Sequence, residues 1–236
     1  MRVKRLLIRP GAIGDVILSL PALEAARADY TEVWAPRVTL PLIRFADRTR
    51  AIADTGIELV GVTDAKCPAL EAFDSIYSWY GTARPEFREA VSHLPFTFFP
   101  AQSFPETPPR IEVPVAIRED FAIIHPYSSS IRKNWPLENF RAVAERLKIR
   151  VEWCEPGRIE DLYELACWIS TAQLYVGNDS GISHLAAAVG TPVIAIFVST
   201  DPRVWAPRGD RATALENPSI DQVLRACSEY LIEKRV

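Results

Sequence analysis

The chain has 236 residues, 48% of them hydrophobic and 24% charged, with a formal net charge of −3. That composition supports a packed core and excludes a disordered chain. The slight acidic balance argues against a general nucleic-acid binder, which carries a basic face. Cys67, Cys154, Cys167 and Cys227 form no Cys-x-x-Cys pair. Neither a zinc site nor a disulfide framework is therefore expected, and the thiols read as free in a reducing, cytoplasmic setting.

Arg2, Lys4 and Arg5 precede an apolar stretch that Arg9, Pro10, Gly11, Gly14 and Asp15 interrupt. A secretory leader needs a continuous apolar run, so none is expected. Val3–Ile8 reads as a buried strand, and Val16–Ala28 carries apolar residues at helical spacing, with Pro21 inside it. Further strands are expected at Glu32–Ala35, Glu58–Val62, Ser75–Trp79 and Thr97–Phe99, and helices at Leu40–Ala46 and Glu86–Ser92. Phe104–Pro114 holds Pro105, Pro108, Pro109 and Pro114 and reads as a linker. A second series follows: strand Phe121–Ile124, helix Leu137–Leu147, strand Arg150–Cys154, helix Asp161–Ser170, strand Leu174–Gly177, helix Ile182–Val189 and strand Pro192–Val198. Ser219 is placed to cap a last helix whose apolar face is Ile220, Val223, Leu224, Cys227 and Leu231. The longest uncharged run, Ser180–Thr200, is broken by Gly181, His184, Gly190 and Pro192 and reads as a buried helix and strand, not a membrane span.

Alternating strands and helices imply parallel sheets. The expected division is an N-terminal domain at 1–103, a linker at 104–118, a C-terminal domain at 119–216 and a final helix at 217–236 that packs back towards the N-terminal domain. In open parallel sheets ligands bind beyond the carboxyl ends of strands, and three loops there stand out.

The first is Arg9-Pro-Gly-Ala-Ile-Gly-Asp15. Gly11, Ala12 and Gly14 allow a tight turn with backbone open to a ligand. Asp15, at the helix start, is either an N-cap or a general base; spacing alone favours the cap. The second runs from Ile124 to Pro136 and holds Ser128, Ser129, Ser130, Arg132 and Lys133. Hydroxyls and cations suit phosphate oxygens; the alternative is a solvated loop. The third runs from Val176 to Pro192. Ser180 and Gly181 open a helix whose amides and dipole favour an anion. Taken singly, Asp179 reads as an N-cap and His184 as a packed or surface histidine.

Together these segments resemble glycosyltransferase family 9, the ADP-heptose:lipopolysaccharide heptosyltransferases. Gly11-Ala-Ile-Gly-Asp15 through Leu20-Pro-Ala-Leu23 is similar to the family's first signature, and His125 to Pro136 to its second. Asn178 to Pro192 is similar to its third, and Thr200-Asp-Pro-Arg-Val-Trp-Ala-Pro207 to the loop that follows. The resemblance implies an α/β, GT-B fold of two Rossmann-like domains with parallel sheets facing a central cleft. It implies an inverting, metal-independent transferase moving a heptose or related sugar from ADP-heptose to a lipopolysaccharide-core or other glycan acceptor. Asp15 would be the base and Lys133 the counter-charge to the leaving diphosphate. Ser128, Ser129, Ser130, Glu155, Asp179, Ser180, Gly181 and His184 would line the donor side; Gly11, Ala12 and Gly14 would face the acceptor. No cofactor, metal or nucleic-acid partner is implied; a cytoplasmic protein is, with peripheral inner-membrane contact allowed. The chain is shorter than typical members, and Tyr127 stands where the family has glycine. Two alternatives stay open: a different donor sugar, and a nucleotide-sugar binder without turnover.

Overall fold

The computed structural model describes residues 2–114 and 117–232. The chain forms two compact units, 1–107 and 108–236. In the first, β1 (Lys4–Ile8), α1 (Ile13–Ala25), β2 (Tyr30–Ala35), β3 (Arg48–Ala51), β4 (Ser75–Ser78), α2 (Pro85–Ala90) and β5 (Phe96–Phe98) build a five-stranded sheet, order β3-β2-β1-β4-β5. In the second, β6 (Phe121–His125), α3 (Leu137–Arg146), β7 (Arg150–Trp153), α4 (Leu162–Ser170), β8 (Leu174–Asn178), α5 (Gly181–Ala188), β9 (Val193–Phe197), α6 (Pro202–Trp205), β10 (Ala212–Glu216) and α7 (Ile220–Ile232) give another, order β10-β9-β8-β6-β7. Every described strand pair is parallel.

Parallel sheets need both faces covered, which explains the continuous apolar runs. Leu6, Ile8, Trp34, Ile76 and Phe87 pack in one core of the first unit. Leu7 and Val33 alternate with them and are also fully buried, as are Val16, Ile17 and Leu23 of α1. In the second unit Ile124, Val176, Ile194, Trp135, Phe140 and Val143 share a core with Val223, Ala226 and Cys227 of α7. Ser219 and Gln222 form the expected cap reciprocally: Ser219 Oγ accepts Gln222 N–H at 3.3 Å and Gln222 Oε1 accepts Ser219 N–H at 2.8 Å. The apolar face of α7 is filled by this unit. Tyr230 also bonds Thr213 at 2.9 Å, and Asp221 accepts from Arg146 at 2.7 Å.

Several expected elements differ. Glu58–Val62 is not a strand; Ile57–Leu59 is a 3-10 turn, and buried Ile57 and Val60 anchor isolated turns under the sheet. The strand in that place is β3, whose Arg-Thr-Arg-Ala sequence has no alternating apolar pattern because it lies on an edge. Leu40–Ala46 is replaced by a 3-10 turn over Arg37–Leu42. An edge strand of the second sheet, β10, and the short α6 were not expected either. Helix α1 starts three residues earlier than its apolar spacing indicates and continues through Pro21 to Ala25. The proline-rich stretch is not a free tether: Ile111 is buried and its N–H donates to the Ala188 carbonyl at 2.9 Å. Among the described residues no helix is long and apolar enough to cross a membrane.

Phe140 is fully buried, with its ring edge-on to Trp135 at 5.1 Å. Phe140→Ala should therefore lower the unfolding free energy of the second unit by about 3–5 kcal/mol, read by urea-induced unfolding. A loss under about 1 kcal/mol would contradict this packing.

Candidate functional site

Strand order reverses beside β1 in the first sheet and beside β6 in the second. At such switch points the loops after adjacent strands splay apart and leave room for a ligand. The Gly11–Asp15 loop follows β1; the serine–lysine loop follows β6; Asp179 and Ser180 follow β8, the neighbour of β6.

In the first unit the N-cap of α1 is Ala12, which has no side-chain acceptor. Asp15 is the third helical residue, and its Oδ2 reaches back to accept the Ala12 N–H at 2.8 Å. Asp15 is thus half of a capping box, not the N-cap that spacing favoured. Its carboxylate remains a quarter exposed. Gly11 has φ +119°, and a Cβ there would stand 2.8 Å from both Asp15 Cβ and Oδ2. Only glycine satisfies both the backbone angle and that approach. Ala12 is exposed and Gly14 half-buried. Beneath the loop lies Arg9, fully enclosed and missed as a site residue by sequence reasoning. Burial pulls its guanidinium down to about 10, with Asp15 acting in the opposite direction.

In the second unit the expected donor residues converge in part. Lys133 Nζ donates to Asp179 Oδ2 at 2.8 Å, and Thr200 Oγ1 donates to the same oxygen at 2.7 Å. Asp179 is 5% exposed and Lys133 28%, so the pair is buried on the acid side and open on the cation side. The cap of α5 is Ser180, whose Oγ accepts Ser183 N–H at 3.4 Å; this removes the cap reading of Asp179. Gly181 and Ile182, the first helical amides, have no intrahelical carbonyl to bond. His184 lies buried on α5.

The serine loop divides its work. Ser128 Oγ lies 2.7 Å from the Ser130 carbonyl and from Asn134 Oδ1, so it braces the loop. Ser129 is exposed and Ser130 half-buried, the latter starting the 3-10 turn that carries Lys133. Asn178, also missed by sequence reasoning, ties the loop to β8: its Nδ2 donates to the Pro126 carbonyl at 2.7 Å and its Oδ1 accepts Trp135 N–H at 2.9 Å. Gly177 admits Tyr175, whose hydroxyl would stand 2.7 Å from a Cβ there. Glu155 is exposed after β7, and Tyr127 donates its hydroxyl to Glu155 Oε2 at 2.5 Å. That bond and partial burial push the Tyr127 phenol up.

Residues 158–229 match the family model for glycosyltransferase family 9 (heptosyltransferase). The lipopolysaccharide heptosyltransferase 3 of Escherichia coli is 29% identical over 118 residues, covering 39% of this chain. The match spans 35% of that relative's length, so the chain covers about a third of it. The chain is similar to glycosyltransferase family 9 over these segments, each of which spans less than half of it. Its fold agrees: the solved structure of the E. coli ADP-heptose lps heptosyltransferase II superposes with a TM-score of 0.75 at 15% identity, covering 99% of this chain and 100% of that one. The E. coli heptosyltransferase WaaC with ADP gives a TM-score of 0.64 at 16% identity, covering 99% and 100%. Two parallel-sheet, Rossmann-like domains are the fold class that was expected.

A buried histidine opens the segment from His125 to Pro136. His125 Nδ1 donates to the Cys154 carbonyl at 2.8 Å. Burial pulls His125 below its ordinary 6.5, while that bond and Glu155 act the other way. The folded state therefore binds fewer protons than the unfolded chain between the depressed value and 6.5. This contribution to stability is complete above 6.5 and is lost as pH falls through that window. Across that window stability should decline with falling pH, with a slope of up to about 1.4 kcal/mol per pH unit. His125→Asn, whose amide also donates, should flatten the slope in pH-dependent urea unfolding; identical slopes would place the titration elsewhere.

Proposed function

We propose that the protein is an inverting glycosyltransferase that moves a heptose or related sugar from a nucleoside-diphosphate sugar, ADP-heptose in the first instance, to a lipopolysaccharide-core or other glycan acceptor. The observation that carries this reading is the contact of the Lys133 ammonium with Asp179, the residue before the Ser180 cap of α5, at the β6–β8 switch point. A cation beside a helix N-terminus is matched to a diphosphate. The names of the relatives, which include ADP-heptose and lipopolysaccharide, supply the donor and acceptor class.

In this mechanism the acceptor hydroxyl oxygen attacks the anomeric carbon and its proton passes to the Asp15 carboxylate. The bond from that carbon to the diphosphate oxygen breaks, and its electron pair leaves with the nucleoside diphosphate. Lys133 and the amides of Gly181 and Ile182 stabilise the charge that develops. Asp179 and Thr200 hold Lys133 ready, so no metal is required for charge neutralisation. Glu155, which accepts the Tyr127 hydroxyl, would read the nucleoside end. Because Tyr127 already occupies Glu155, a base other than adenine is a second reading of the same site.

Asn at position 15 still accepts the Ala12 N–H but takes no proton. Asp15→Asn should fold normally and lose transfer by at least about a hundredfold; full activity would leave Asp15 a cap alone. Lys133→Ala should cut donor kcat/KM by about ten- to a thousandfold, and unchanged kinetics would remove it from the site. Thermal shift with a panel of nucleoside diphosphates and sugar nucleotides identifies the base, since a ligand of the native state raises Tm. Stabilisation without product would favour the binder without turnover.

A further inference from the structure

Arg9 is a buried cation that the mechanism above leaves unused. It ends β1, is 1% exposed, and lies 5.9 Å and 5.4 Å from the ring centroids of Trp79 and Phe104. Burying a cation costs free energy unless its donors are satisfied. Here they are satisfied on one short segment. Nη1 donates to the Pro10 carbonyl at 3.0 Å, Nη2 to the Asp15 carbonyl at 3.3 Å, and Nε to Ser19 Oγ at 2.7 Å. Ser19 Oγ in turn donates to the Asp15 carbonyl at 2.9 Å.

A plain ion pair with Asp15 does not describe this geometry. The charge-to-charge distance, Arg9 Nη2 to Asp15 Oδ1, is 3.9 Å, longer than each bond to the main chain. The guanidinium holds both ends of the Pro10–Asp15 turn, and the carboxylate follows. Gly11 presses on the other side of Asp15, and Ala12 N–H takes Oδ2. Oδ1 is then the oxygen left to receive a proton.

We propose that Arg9 is the positioning residue for Asp15: its planar fork staples the two ends of the turn and so fixes where Oδ1 points. The proposal rests on the reading of Asp15 as the base. A lysine keeps the charge but places its donors at a single point, so it cannot span Pro10, Asp15 and Ser19 together.

The test compares wild type, Arg9→Lys and Ser19→Ala in steady-state transfer and in amide hydrogen exchange. Arg9→Lys should lower kcat by about ten- to a hundredfold, the scale of a base displaced by about an ångström. Donor KM should stay within about twofold, because the donor site lies in the other unit. The Ala12 amide should exchange at least about tenfold faster while amides of β1 and β2 keep their rates. Ser19→Ala should move kcat and Ala12 exchange the same way by less, and it decides alone if Arg9→Lys does not fold. Unchanged kcat, a fall carried by KM, or unchanged Ala12 exchange would overturn the proposal. A wild type that transfers no sugar to any acceptor tried would instead sink the base reading, and the exchange rates would then report whether Arg9 holds the turn.

Discussion

Strands β1, β6 and β8 are covered on both faces, so polar chemistry is pushed to their carboxyl ends. Leu6, Leu7 and Ile8 are fully buried, and the next residue is Arg9. Ala122, Ile123 and Ile124 are fully buried, and His125 and the serine loop follow. Leu174, Tyr175 and Val176 are fully buried, and Asn178 and Asp179 follow. A polar side chain within these runs would have to be desolvated without partners, at a cost of several kcal/mol. At the strand ends the same side chains meet loop carbonyls and helix amides. The site is placed by what the sheet excludes.

Two aspartates use that position differently. Each stands near the start of a helix, and each is released from the plain N-cap role. At α1 the cap is an alanine, so the Asp15 carboxylate caps backwards with one oxygen and offers the other. At α5 the Ser180 hydroxyl does the capping, so the Asp179 carboxylate turns to Lys133 and Thr200. A carboxylate that capped α5 itself would put negative charge where the proposed function seats a diphosphate. Directing it sideways keeps the first amides open and supplies the lysine with a partner.

The parallel sheets and most of the helices were legible because their apolar runs are long and bounded by glycine, proline or a capping residue. The region from 36 to 72 was not. Its apolar residues serve 3-10 turns, whose buried positions do not recur with a fixed period. The edge strands β3 and β10 bury little and carry no alternation. The site loops were legible from glycine, serine and lysine after strands, but the braces were hidden. Thr200 meets Asp179 across 21 positions, and Asn178 meets Pro126 across 52. Arg9 is a lone arginine at a strand end, a pattern that reads as solvated charge until the rings of Trp79 and Phe104 are placed beside it.

On the proposed reading, the Lys133–Asp179 pair sets the terms on which a diphosphate would bind. An exposed ion pair contributes about 0–1 kcal/mol, whereas removing one partner of a buried pair costs about 3–5 kcal/mol. This pair lies between those limits, with an enclosed carboxylate and a partly open ammonium. A complete transfer of the lysine to phosphate would strand Asp179 with Thr200 alone, so it is disfavoured. A lysine with three N–H donors can instead keep Asp179 on one and offer the others to phosphate oxygens. The proposed donor would then meet a cation that is already oriented, with little rotamer freedom left to lose. On that reading, the stabilisation that remains would be greatest when charge builds on the departing diphosphate, the stage at which it would lower the barrier.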